Sequence, residues 1–250
     1  MCGLYGFIGE PTGNTKVILN ILGVANERRG RDSSGMAYYD GKHFRISKRV
    51  EPSHTFLKHK PAQRGMASKL VIGHTRYATH GAVTRENAHP FKHGKWIFAH
   101  NGVISNFRSL SRMLNKKYEV DSQIIGDLLP NRMHLLKGSY AVVAVNTDEP
   151  DKIYFWRMFS PLFVALSKTG SFFSSIGPVL QRNLPGYEIK EAPNGSYGII
   201  ENGEMSFDFQ ESGYSSRIYM PTLLNDYWPW EPRERNRYAT TNLIAQAFCK

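Results

Sequence analysis

The dipeptide Asn202-Gly203, set between residues 197–201 and 204–209, is the strongest turn signal in the chain. A two-residue hairpin loop that matches strand twist needs positive φ at both central positions, which Asn and Gly accept at little cost. Asp40-Gly41 sends the same signal between residues 36–39 and 44–50. Other short apolar or alternating runs, at 3–8, 69–78, 96–100, 139–145, 153–158, 162–167 and 171–175, also read as strands. Helical spacing appears in fewer places. Val17, Ile18, Ile21, Leu22 and Ala25 recur on one face of a helix over 15–28, with Gly30 placed to end it. Asp121 stands as N-cap to a helix through Ile124, Ile125, Leu128 and Leu129, which Pro130 kinks before Leu135. Runs of consecutive strands with grouped helices predict an α+β fold, sheets packed together with helices outside.

At 250 residues, with 41% hydrophobic and 21% charged residues, the chain is long enough for one large domain with a substantial core. No apolar run approaches the roughly 20 residues that span a bilayer, and the N-terminus lacks the pattern of a signal peptide. The expected location is cytoplasmic, with no membrane partner. The boundaries predicted are a domain over 1–210 and a tail over 211–250. Tyr214, Tyr219, Tyr227, Trp228, Trp230 and Tyr238 alternate there with Pro221, Pro229 and Pro232.

Net charge is +11, concentrated in Lys42, Arg45, Lys48, Arg49, Lys58, Lys60, Arg64 and Lys69. Such a stripe suits a nucleic acid or an acidic protein, but a solvated basic face is the plainer reading. No RNA- or DNA-binding signature accompanies it. Of the two cysteines, Cys249 has no feature that gives it a role. Cys2 follows the initiator methionine, and its small side chain favours methionine removal. The residue would then supply a thiol together with a free α-amine, whose ordinary pKa of about 7.7–8.0 lets it act as a base near neutrality.

Further candidates lie at the ends of predicted strands. Arg76, in Gly73-His-Thr-Arg-Tyr-Ala-Thr-His-Gly81, can grip a carboxylate with both arms of its guanidinium. Asp121 could hold an ammonium group. In His100-Asn101-Gly102, a side-chain amide and an unobstructed backbone N–H could point at an oxyanion. Each has a bland counterpart: a surface ion pair, a helix cap, a hairpin turn.

Taken together these segments resemble the class II glutamine amidotransferases, and most of all the glutaminase domain of glucosamine-6-phosphate synthase. Cys2-Gly-Leu-Tyr-Gly-Phe-Ile-Gly9 begins the resemblance. Arg29-Gly-Arg-Asp-Ser-Ser-Gly-Met-Ala37 and Gly73–Gly81 continue it. Asn87-Ala-His-Pro90, His100-Asn101-Gly102 and Asp121-Ser122 follow in the family's order, over roughly residues 2–205. The resemblance implies a four-layer αββα N-terminal-nucleophile sandwich, with L-glutamine as substrate and no cofactor or metal. It implies Cys2 as nucleophile, Asn101 and Gly102 as oxyanion hole, Arg76 as carboxylate clamp and Asp121 as ammonium partner. Thr79 and His80 fall in a loop that folds over glutamine, and Arg29 falls near the nucleophile. Cys2 would release ammonia, and water would cleave the thioester to glutamate.

Tyr77 departs from the family's Trp, and Arg31 replaces an aromatic. No acceptor half follows the domain, so the expected partner is a separate, synthase-like protein that receives the ammonia. Other readings are a stand-alone glutaminase, or a basic binding module on an inactive version of the fold. His89 and His93 have tolerable zinc spacing, but no cysteine pair or carboxylate completes a site. Asp32-Ser33-Ser34-Gly35 lacks the elbow of a serine nucleophile.

Overall fold

A computed structural model describes residues 1–209, so the predicted tail and Cys249 lie outside the described residues. The strands are β1 (Gly3–Gly9), β2 (Ser33–Tyr39), β3 (Phe44–Arg49), β4 (Leu70–Arg76), β5 (Phe91–His93), β6 (Trp96–Ile104), β7 (Gly138–Asn146), β8 (Ile153–Met158), β9 (Phe163–Leu166), β10 (Gly170–Ser174), β11 (Glu188–Glu191), β12 (Ser196–Glu201) and β13 (Glu204–Phe209). Short helices fall between them: α1 (Gly13–Asn26), α2 (Ser53–Phe56), α3 (Lys60–Gly65), α4 (Phe107–Met113), α5 (Ile125–Leu128) and α6 (Gly177–Asn183).

The strands form two sheets. A seven-stranded sheet runs β11-β9-β10-β1-β4-β2-β3, and a six-stranded sheet runs β13-β12-β8-β7-β6-β5. All their ladders are antiparallel. Period-two alternation sorts the side chains into layers. Leu4, Ile72, Ala99, Val143 and Phe155 meet between the sheets. Their sequence neighbours Tyr5 and Val71 face outward and pack with Leu19 and Leu22 of α1 and Phe56 of α2. On the far side, Phe98 and Val142 pack with Leu110 of α4 and Ile125 and Leu128 of α5. The result is α+β, helices–sheet–sheet–helices, the four-layer αββα sandwich that the resemblance implies.

Both predicted hairpins form, β2–β3 around Asp40-Gly41 and β12–β13 around Asn202-Gly203. Three local expectations need correction. In α1 the buried residues are Thr15, Leu19, Leu22, Gly23 and Asn26, whereas Val17 is 48% exposed. The β6 strand does not stop at His100: it continues to Ile104, with Asn101 opposite Ala141 and Gly102 opposite Tyr140. Asn101-Gly102 is therefore mid-strand and makes no hairpin turn. The helix after Asp121 is shorter than predicted, a 3-10 turn over Asp121–Ile124 followed by α5, which ends before Pro130. Asp121 opens that turn, but its carboxylate bonds a neighbouring strand and does not cap it.

Candidate functional site

Cys2 immediately precedes β1, the central strand of the seven-stranded sheet, and β4 pairs alongside it, bringing Gly3 opposite Thr75. The chain past the end of β4 thus runs over Cys2. The Tyr77 backbone N–H donates to Cys2 Sγ at 3.4 Å, and Sγ lies 3.5 Å from the Tyr77 carbonyl as donor. A close backbone approach makes room for this. A Cβ on Gly30 would fall 2.3 Å from the Arg76 carbonyl carbon and 2.4 Å from Tyr77 N, so the Arg29-Gly30 pair tolerates no side chain at its second position. Asp32 continues the same clamp: its N–H donates to the Arg76 carbonyl at 3.0 Å and its carboxylate accepts the Ala78 N–H at 2.8 Å.

Six of the eight predicted residues, Cys2, Arg76, Thr79, His80, Gly102 and Asp121, line one cleft. The other two stand behind it. Arg29 Nε donates to the Cys2 carbonyl at 2.7 Å and its Nη2 to Asn101 Oδ1 at 3.5 Å. That arginine therefore ties the Cys2 backbone to the Asn101 amide. With Oδ1 turned to Arg29, the amide nitrogen faces the other way, 3.4 Å from Ser175 Oγ. Gly102 has φ of 124°, and a Cβ there would meet the Ser139 carbonyl oxygen at 2.0 Å. Only glycine fits between β6 and β7 at this point.

Arg76 is 3% exposed, and its two terminal nitrogens donate to carbonyls of its own loop, His80 at 2.7 Å and Ala82 at 3.0 Å. Each –NH2 keeps a second N–H for a ligand. Asp121 Oδ2 accepts the Ile104 N–H at 2.9 Å, which fixes the carboxylate at the end of β6. Burial pushes the Cys2 thiol above its ordinary pKa, partly offset by the Tyr77 N–H and by positive charge at Arg76. A thiol held neutral in this way needs a base to become a nucleophile.

Under the cleft lies a stack of buried histidines. The rings of His74 and His89 are 4.1 Å apart, and His89 and His100 are 6.4 Å apart. Burial drives His74 down to about 3 and lowers His89 and His100, so all three are neutral imidazoles near pH 7. His74 Nε2 donates to the His100 carbonyl at 2.9 Å, and His100 Nδ1 pairs with Ser122 Oγ at 2.9 Å. His93 goes elsewhere, to Asp127 at 3.7 Å, so the His89-x-x-x-His93 spacing does not converge. Among the described residues no three His, Cys, Asp or Glu side chains are grouped to hold a metal.

Sequence reasoning missed Ser175 and Ser122 as supports of the site. Ser122 had a signal, since it adjoins Asp121 in a matched block. Ser175 had none, and only the β1–β10 pairing places it between Leu4 and Asn101. Ser34 donates to the Glu51 carbonyl at 2.9 Å, a structural bond within the edge of the sheet. A larger cavity of about 320 Å³ opens at the opposite end of β1, around Glu10, Lys69 and Asp151. None of the eight predicted residues lines it, so the smaller cleft is the candidate site on chemical grounds.

Residues 1–126 of the 250 match the family described as class-II glutamine amidotransferases. The chain belongs to that family. Glutamine–fructose-6-phosphate aminotransferase (isomerizing) of Pyrococcus horikoshii is 34% identical over 222 residues, covering 80% of this chain and 36% of that protein. The enzyme of the same name from Clostridium acetobutylicum is 32% identical, covering 76% and 34% respectively. The chain thus spans about a third of the length of these relatives. The fold is shared with a structure of the allosteric regulatory enzyme of purine biosynthesis, at a TM-score of 0.69 and 20% identity, over 83% of this chain and 49% of that one. The chain therefore holds a glutaminase-type class-II amidotransferase domain with cysteine near its N-terminus, and no described helix is long and apolar enough to cross a membrane.

Proposed function

We propose that this domain hydrolyses L-glutamine through Cys2, after removal of Met1, and delivers the ammonia to an acceptor enzyme in a separate chain. The observation that carries the reading is the convergence, in one cleft, of the Cys2 thiol with the buried charges of Arg76 and Asp121. Glutamine carries a carboxylate and an ammonium at one end and an amide at the other. Arg76 takes the carboxylate with its remaining N–H groups, and Asp121 takes the ammonium. That anchoring sets the side-chain amide toward Cys2. Removal of Met1 turns the Cys2 nitrogen from an amide into an amine, which accepts the thiol proton. Sγ attacks the amide carbon, the oxyanion is met by the Asn101 amide and the Gly102 N–H, and collapse, with the Cys2 amine returning its proton to the leaving nitrogen, expels ammonia. Water then cleaves the thioester to give glutamate and return the thiol. Thr79 and His80, on the loop held by Arg76, cover the substrate, and Arg29 orients Asn101.

Delivery to an acceptor, rather than release into solution, is supported by chemistry: ammonia released into neutral water is protonated and lost as a nucleophile. The 1–210 boundary and the 211–250 tail belong to this proposal, with the tail or the basic stripe as docking surface. In the structure, that stripe is partly neutralised by Arg45–Asp40 at 2.7 Å and Lys69–Glu10 at 2.6 Å, which favours a solvated face over a nucleic-acid site. Intact mass, before and after treatment with a glutamine-analogue electrophile, tests processing and thiol reactivity together. The expected result is loss of Met1 and one adduct, absent in Cys2→Ala. Cys2→Ala that still releases glutamate at the wild-type rate would sink the assignment. Turnover of the chain alone and with cell extract tests the acceptor: full turnover alone, with no protein recovered on it, favours a stand-alone glutaminase.

A further inference from the structure

The loop that carries Thr79 and His80 is tied down again at Ala82, through both its N–H and its carbonyl. The Ala82 carbonyl accepts from Arg76 Nη1 at 3.0 Å and from Asn87 Nδ2 at 3.1 Å. The Ala82 N–H donates to Glu119 Oε1 at 3.3 Å, and the same oxygen accepts from Asn87 Nδ2 at 2.6 Å. Glu119 lies just before Asp121, in the segment whose Val120 and Asp121 line the cleft. Its own N–H is fixed by Gln123 Oε1 at 2.9 Å. Asn87 is fully buried. The carboxylate sets the direction of its amide, because an Asn87 Oδ1 turned toward Glu119 would place two acceptors face to face. Three side chains from three separate stretches of chain, Arg76, Asn87 and Glu119, therefore close on Ala82, and the arginine among them is the proposed carboxylate clamp.

We propose that Glu119 is a positioning residue for glutamine: through Asn87 and the backbone of Ala82 it holds the loop on Arg76, and so sets the affinity for substrate. The inference rests on the reading of Arg76 as the clamp. Neither Glu119 nor Asn87 touches the reacting atoms. Breaking the latch frees the loop from the ground-state complex but leaves Cys2, Asn101 and Gly102 in place. The latch therefore acts on binding and spares turnover.

Asn87→Asp puts a second carboxylate against Glu119 and removes the donor to Ala82, with almost no change of shape. Glu119→Gln in the same chain removes the repulsion: in place of Oε1 its amide nitrogen donates to the new aspartate, and the bond from the Ala82 N–H is given up. Glutamine binding is measured by calorimetry on the Cys2→Ala protein, and glutamate release on the protein with Cys2. Expected for Asn87→Asp are a dissociation constant and KM raised about tenfold, kcat within about twofold, and part of the loss recovered in the double variant, where the two segments are linked again. Labelling of Cys2 by iodoacetamide should stay at the wild-type value, while the buried carboxylate lowers the melting temperature of Asn87→Asp and the double variant regains part of it. An unchanged dissociation constant overturns the latch while leaving the glutaminase reading intact. Parallel loss of binding, kcat and melting temperature, with no recovery in the double variant, marks a purely structural role and also overturns it. If the Cys2→Ala protein with native Asn87 and Glu119 binds no glutamine, the reading of Arg76 falls and the latch with it.

Discussion

Replacing Gly102 by alanine tests whether strand packing and the proposed oxyanion hole are one feature. The added Cβ would stand 2.0 Å from the Ser139 carbonyl oxygen and 2.8 Å from Ser160 Oγ, at a φ of 124°. That φ costs an L-residue about 1–3 kcal/mol relative to glycine. The contact with Ser139 is backbone, so no rotamer change relieves it; β6 and β7 must part by more than an ångström where Gly102 faces Tyr140. Overpacking of that kind costs about 1–3 kcal/mol more. The sum, about 2–6 kcal/mol, lowers the melting temperature of a domain this size by roughly 4–24 °C. The same displacement carries the Gly102 N–H away from the developing oxyanion, and a misplacement of about 1 Å lowers kcat about a hundredfold. Urea and thermal denaturation give the first number, and glutamate release below the transition gives the second. A variant that melts within a degree or so of wild type and keeps its kcat would refute the argument, since the strand would have absorbed the methyl without moving the N–H.

Asn101→Ala removes the other oxyanion donor and is expected to lower kcat by about 10²–10³ with little change in KM; steady-state kinetics showing a rise in KM alone would contradict that role. Arg76→Lys and Asp121→Asn should do the reverse, raising KM for glutamine with a smaller effect on kcat, because a lysine lacks the two-armed grip and an amide lacks the charge. Acid should destabilise the fold well above the carboxylate range. The buried His74 titrates at about 3 in the native state against about 6.5 unfolded, so its contribution is fully present above pH 6.5 and is lost as pH falls toward 3. Between pH 6.5 and 5 this amounts to about 2 kcal/mol from His74 alone, with His89 and His100 acting in the same direction. Urea midpoints at pH 7 and pH 5 check it; equal midpoints would show that the histidine stack is solvated.

Much of this molecule is local in origin and so could be read from the chain. The Asp40-Gly41 and Asn202-Gly203 turns, and the period-two strands around them, follow from which residues accept positive φ and which side chains suit a pleated surface. The ordered motifs around Cys2, Arg76, Asn101, Gly102 and Asp121 carried the family, because each is a run of neighbouring residues with a chemical group at a fixed place in it. Spacing could not say how those ends meet. Asn101-Gly102 resembles a hairpin turn from its neighbours alone, yet pairing with β7 keeps it inside a strand, since the Ser139 carbonyl leaves room only for a glycine. Asp121 looks like a helix cap, yet β6 ends beside it and offers the Ile104 N–H, a buried donor that needs a partner. Ser175 reaches Asn101, and Glu119 reaches Ala82, across gaps of many residues that no local preference spans. Hydrogen-bond partners of buried groups are settled by which strands lie side by side, and that is a property of the two sheets together. The chain by itself determined which groups this domain has for its chemistry; the packing of the sheets decided which of them stand within reach of Cys2.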